Sequence, residues 1–196
     1  MLPSGVSFYK SVDRGHSWEL ESSIPYQPDY AKDPVAPYKI DGSFDEPTFE
    51  ILSDSTYLCV MRSGGASPMY RVFSKDKGRT WSEPEPFTPN GVKPLLMKLR
   101  NGSLVLVSGR PGLQVRISFD GKGDLWSEPI DMMPYMSDGK YDLYVSCGYA
   151  SILEADDKSF YVVYSDFNQK NDKGEKRKAI MFRKIIINKN KHRLKK

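Results

Sequence analysis

Three aspartates recur in one local setting, and acids that recur invite a chemical reading. Ser11-Val12-Asp13-Arg14-Gly15-His16-Ser17-Trp18 and Ser74-Lys75-Asp76-Lys77-Gly78-Arg79-Thr80-Trp81 share Ser-x-Asp-x-Gly-x-(Ser/Thr)-Trp at every constrained place. A third copy, Ser118 to Trp126, carries one extra residue and has Leu125 where the others have a hydroxyl. In such a setting the carboxylate can accept the backbone N–H groups of a hairpin turn, the glycine tolerates positive φ, and the tryptophan is expected to drop into a sheet interior. Asp13, Asp76 and Asp120 are therefore read as turn staples and not as catalytic acids. Other chemistries fail on residue type. The histidines are His16, in a turn, and His192, in a basic C-terminal stretch, so neither a Ser-His-Asp triad nor a histidine metal site can be assembled. Cys59 and Cys147 each lie in a strand-like apolar run and are read as buried free thiols, too few for a zinc site or a disulfide framework. Gly64-Gly65 lacks the flanking pattern of a phosphate loop. No metal and no cofactor is implied.

Turns that repeat must be joined by elements that repeat. Asp76 and Asp120 are 44 residues apart, room for four short strands with their turns; Asp13 and Asp76 are 63 apart, and the surplus is assigned to the loop Ile24 to Phe44, rich in proline. In this register one group of strands runs Pro47 to Leu52, Tyr57 to Arg62, Tyr70 to Ser74 and Trp81 to Phe87. The next runs Pro94 to Leu99, Leu104 to Gly109, Leu113 to Ser118 and Leu125 to Ile130, with Asn101-Gly102 as a hairpin signal. A last group offers Tyr149 to Glu154, Phe160 to Ser165 and Ala179 to Ile187, while the start of the chain supplies one strand pair. Fourteen prolines, fifteen glycines and a high aromatic content agree with many short strands. The expectation is an all-β chain of about three and a half four-stranded blades, with residues 1–187 forming a partial propeller and 188–196 a basic tail.

The formal charge of +4 is unevenly spread. Lys173 to Lys196 hold eleven bases and one acid, Glu175, for +10, leaving −6 on the remainder. A groove that tracks a phosphate backbone would place this charge within the folded body, so a solvated tail is read here and no nucleic-acid partner. No apolar stretch of signal-peptide length occupies Met1 to Lys10, and no run of about 18 apolar residues occurs elsewhere. The chain as given is read as soluble and without a membrane partner. Its compartment stays open, extracellular or periplasmic if residues precede Met1.

Asp boxes, as these turns are known, in a blade-length repeat resemble the sialidase (neuraminidase) superfamily, whose members fold as six-bladed β-propellers. Further residues match that family in order. Asp45-Glu46-Pro47 leads into a strand pair that ends Val60-Met61-Arg62-Ser63, similar to the family's glutamate and one arginine of its substrate-binding triad. Arg110 in Ser108-Gly109-Arg110-Pro111-Gly112 resembles the next triad arginine. Tyr149 in Ser146-Cys147-Gly148-Tyr149-Ala150-Ser151 resembles the nucleophilic tyrosine. The resemblance implies that Arg62 and Arg110 fork the substrate carboxylate, that Tyr149 attacks the anomeric carbon, and that Glu46 takes the phenol proton. A neutral phenol suits this task, because an anionic nucleophile would be repelled by the sugar carboxylate. Taken singly, Tyr149 would be core filler, Glu46 a surface acid, and the two arginines strand-end charges.

The family also uses a first triad arginine and an aspartate as acid/base, both upstream of the matched glutamate. Before Glu46 the chain has 45 residues, and Arg14, the arginine there, lies inside a turn motif. Two functions follow from the resemblance. One is an exo-α-sialidase-like glycoside hydrolase, incomplete as given, acting on a glycan or sialoside. The other is a non-catalytic carbohydrate-binding or interaction module on the same scaffold. Enzyme status is left undecided by the missing acid, and open blade edges favour self-association.

Overall fold

A computed structural model describes residues 5–33, 42–64, 67–110, 112–133 and 145–187. Among them every regular element is a β-strand. The chain divides into two compact units, Met1–Pro94 and Leu95–Lys196.

Within the first unit, β1 (Gly5–Lys10) and β2 (Glu19–Pro25) form an antiparallel pair. Strands β3 (Asp45–Ile51), β4 (Tyr57–Arg62), β5 (Tyr70–Ser74) and β6 (Glu85–Pro86) form a four-stranded meander. A second meander contains β7 (Val92–Lys98), β8 (Leu104–Gly109), β9 (Leu113–Ser118) and β10 (Ile130–Asp131). The last sheet has three strands, β11 (Ala150–Asp156), β12 (Ser159–Lys170) and β13 (Lys176–Ile186). Sheets made of sequence neighbours, in the expected order, are what turn signals between alternating strands should give.

Each unit has its own core. In the first, Val6 and Ile24 of the β1–β2 pair meet Cys59, Met61, Tyr70 and Val72 of the meander, with Phe8 and Trp81 packed against them. In the second, Val105, Val107, Val115 and Ile117 pack with Phe160, Val162 and Tyr164. Burying one such side chain contributes about 1.5–3 kcal/mol, so these clusters anchor the sheets. Burial also pushes the Cys59 thiol up to about 12, consistent with an inert structural cysteine.

All three Asp boxes are stapled turns. Ser17 donates its N–H to Asp13 Oδ1 at 2.9 Å and its hydroxyl to Oδ2 at 2.6 Å. Thr80 repeats both bonds on Asp76 at 2.9 and 2.6 Å. Those hydroxyl bonds, then the backbone ones, hold both carboxyls at about 2, below the usual 3.8. Gly15 and Gly78 sit at φ 90° and 86°, where a β-carbon would strain the chain. In the third box Ser118 still donates to Asp120, at 2.9 Å, and Lys122 N–H closes the turn at 3.0 Å.

Four expectations need correction. The outermost strands shrink to two residues each, β6 and β10, because the Trp-Ser-Glu-Pro segments pair through a side chain. Ser82 N–H donates to the Phe73 carbonyl at 2.8 Å while its hydroxyl accepts the Phe73 N–H at 3.0 Å. Ser127 does the same with Ile117 at 2.9 and 3.1 Å. A proline two residues later carries no N–H to extend the ladder. Trp18 is not inside a sheet: it is 62% exposed, with its indole N–H on Gly15 O at 3.1 Å. Cys147 lies exposed in the segment before β11 and not in a strand, its Sγ 2.8 Å from Ser165 Oγ. Finally, five of the eleven bases between Lys173 and Lys196 are not in a solvated tail, since Lys176, Arg177, Lys178, Arg183 and Lys184 belong to β13. The proposed tail 188–196 lies outside the described residues, as do His192, Gly65, Pro111, most of the segment between Trp126 and Ser146, and part of the loop Ile24 to Phe44.

Candidate active site

In the first unit Glu46 and Arg62 meet at the shared end of β3 and β4. Asp45 pairs with Arg62, the register then slips before Thr48, and the slip contains Glu46 at φ 49° followed by Pro47. A bulge of this kind re-aims a side chain at a strand end. The Glu46 carboxylate is thereby turned onto Arg62, Oε1 to Nη1 at 3.2 Å, with both side chains mostly buried. Its Oε2 accepts the backbone N–H of Lys93 at 2.7 Å, and Lys93 is itself in the left-handed region at φ 46°. Arg62 Nε is buried without a hydrogen-bond acceptor.

In the second unit Arg110 follows β8 and Tyr149 precedes β11. The two segments are brought together by glycines. A β-carbon on Gly109 would stand 2.2 Å from the Gly148 carbonyl oxygen and 2.5 Å from its Cα, so no side chain fits at Gly109. Arg110 takes φ 55° and donates its N–H to Gly112 O at 3.2 Å. Gly148 N–H is held by Ser146 Oγ at 3.0 Å, which fixes the backbone one residue before the tyrosine. Tyr149 is 49% exposed, as a residue that meets a ligand must be and a core tyrosine is not.

The four residues grouped as one site from the sequence are divided between the units: Glu46 meets Arg62 in the first, and in the second Arg110 and Tyr149 follow two glycines, Gly109 and Gly148, whose backbones meet. Sequence reasoning missed Lys93, whose contribution is a backbone N–H with no signature in residue type. It also missed the Gly109 and Gly148 contact, although a glycine at a strand end beside a candidate residue is a sign of close backbone approach. Upstream of Glu46, Asp33 is fully buried, and Tyr70 donates its hydroxyl to Asp33 Oδ2 at 2.9 Å. Burial first, and then the bond to Asp33, raise the Tyr70 phenol well above its ordinary value. Among the described residues no group of three or more His, Cys, Asp or Glu is placed to hold a metal.

A family model described as a BNR repeat-like domain matches residues 8–172. The chain belongs to that family. Its antiparallel sheets share the fold of sialidase-type β-propeller structures. A search of curated protein sequences found no match. Among solved structures, a protein of unknown function from Dyadobacter fermentans is similar at 19% identity and TM-score 0.65, over 91% of this chain and 44% of the other. An α-L-arabinofuranosidase from Fusarium graminearum is similar at 16% identity and TM-score 0.59, over 93% of this chain and 55% of the other. The NanB sialidase from Streptococcus pneumoniae is similar at 22% identity and TM-score 0.56, over 84% of this chain and 24% of the other. These likenesses establish a fold shared with glycoside hydrolases. The BNR chain spans 24–55% of the length of these three structures.

Proposed function

We propose that this BNR chain is the later part of an exo-α-sialidase-like glycoside hydrolase, with residues 1–187 as partial propeller and 188–196 as a basic tail. The observation that carries the reading is the Glu46–Arg62 pair, where a guanidinium grips a carboxylate at 3.2 Å at the end of two strands. An Arg fork placed there suits the carboxylate of a sialic acid or related acidic sugar, and Arg110 supplies a second. Tyr149 is the nucleophile on the anomeric carbon, forming a bond to it as the glycosidic oxygen leaves. Glu46 accepts the phenol proton in that step, since a phenol with an ordinary pKa near 10 is a weak nucleophile at neutral pH. The departing oxygen needs a proton from an acid outside this chain, and a third arginine would come from the same place. Proton donation contributes about 10² to 10⁴ in rate.

The expected result of a fluorogenic sialoside assay on the 196-residue chain is therefore very slow turnover or none. Sialoside binding at this site should be measurable by calorimetry as a component of the isotherm that Arg62→Ala removes. Robust turnover that vanishes in Tyr149→Phe would show the acid to lie within the chain. A second reading, a non-catalytic glycan-binding module, is favoured by the burial of Asp33, which leaves that upstream acid on a tyrosine and away from solvent.

A further inference from the structure

The first unit has a concave surface away from Glu46 and Arg62. It is a cleft of about 310 Å³ whose walls include the rings of Phe8, Tyr9, Trp18, Phe49 and Tyr57. β4 runs from Tyr57 at the cleft to Arg62 at the candidate active site. Five residues of strand separate them by about 17 Å. The two sites are thus at opposite ends of one blade.

Three features of the cleft point to its ligand. The rings are preset. Trp18 keeps its indole N–H on its own turn, at Gly15 O, so its orientation is fixed while most of the ring stays in solvent. Phe49 is half exposed and is held edge-on by Phe8 at 5.9 Å between centroids and face-on by Tyr57 at 6.1 Å. Platforms that need no ordering on binding lose little entropy when a ligand arrives. The walls are also charged: Lys10, Lys77 and Glu21 line the same space, and Glu21 is already paired with Arg79 at 3.3 Å. An aromatic floor with lysines in the walls suits a small amphipathic ligand with an anionic group. Lastly, the volume is at the small end of ligand pockets, enough for a sugar unit and too small for a protein segment of any length.

We propose that this cleft is a second glycan-binding subsite that takes an acidic pyranose. The C–H face of the ring, slightly positive, lies on the negative π faces of Trp18 and Phe49. Its carboxylate lies near Lys10 and Lys77. The site acts in holding a glycan chain and takes no part in bond cleavage.

The test uses the full chain carrying Arg62→Ala, which removes the carboxylate grip at the other site, titrated calorimetrically with 3′-sialyllactose and with lactose. Binding of 3′-sialyllactose is expected to persist, to exceed that of lactose, and to weaken at least tenfold on adding Trp18→Ala or Phe49→Ala. Lys10→Ala with Lys77→Ala should erase the preference for the acidic sugar. Both aromatic side chains are at least half exposed, so circular dichroism should show these variants folded. No sialyllactose binding in the Arg62→Ala chain, or binding unaffected by the aromatic changes, would overturn the proposal. Sialoside hydrolysis by the intact chain bears on Tyr149 and Glu46 alone, so the two readings fail separately.

Discussion

The first and second Asp boxes share one unit and nearly identical staples, yet their tryptophans have opposite fates. The bonds on Asp13 and Asp76 match in length, and both glycines take the same left-handed conformation. Trp81 stacks on Phe8 of β1 at 4.5 Å and donates its indole N–H to Ser22 Oγ at 3.0 Å, joining two sheets. Trp18 donates within its own turn and remains mostly exposed. The turn is therefore a local object, complete in eight residues, whereas the tryptophan's burial belongs to the neighbouring sheet.

Removing the two rings should break this comparison most sharply. Trp81→Ala should cost about 3 kcal/mol, a value typical of losing a packed aromatic ring, while Trp18→Ala should stay within about 0.5 kcal/mol. Urea unfolding of both variants measures the difference, and equal losses would show that Trp18 is packed in solution. A smaller effect is expected at the serines that follow the boxes. Ser82→Ala and Ser127→Ala each leave a strand N–H without its hydroxyl acceptor, at a cost of about 1 kcal/mol, read by the same method. Matching values at the two sites would confirm that they are one device used twice.

The mildest effect concerns acid. The folded carboxyls of Asp13 and Asp76 titrate at about 2, lower than the ordinary 3.8. A carboxyl whose pKa is depressed by folding stabilises the fold above its unfolded pKa and loses that contribution as pH falls through the folded value. The melting temperature should therefore decline between about pH 4 and pH 2, and Asp13→Asn with Asp76→Asn should flatten that limb. A decline of unchanged steepness in the double variant would place the acid sensitivity elsewhere.

The same contrasts separate what the residue types alone specify from what they do not. β8 and β9 fall at the residues expected, because a central strand is an apolar run and its turns are marked by Asn101-Gly102 and by the box at Ser118. Glu46 and Arg62 were legible as the ends of one hairpin. The outer strands were not, since Trp-Ser-Glu-Pro has the composition of a strand and only the position of the Ser82 hydroxyl shows that a side chain replaces a carbonyl. Cys147 was misplaced for a related reason. Val145-Ser146-Cys147 reads as apolar and extended, but the Gly109 and Gly148 approach fixes the neighbouring backbone where no strand forms, and the thiol faces Ser165. Backbone partners reached across tens of residues, like Lys93 N–H on Glu46, leave no trace in residue type.

The unequal length of the outermost strands also bears on how copies of this protein behave when crowded. β6 and β10 are two residues long and offer almost no row of free amides for another chain to extend. β13 is eleven residues long and hydrogen-bonds β12 as its one neighbour among the described strands. Such a strand is a template for intermolecular pairing, yet it carries Lys176, Arg177, Lys178, Arg183 and Lys184. Two copies approaching along it would set like charges against each other, a repulsion that disfavours edge-to-edge pairing there.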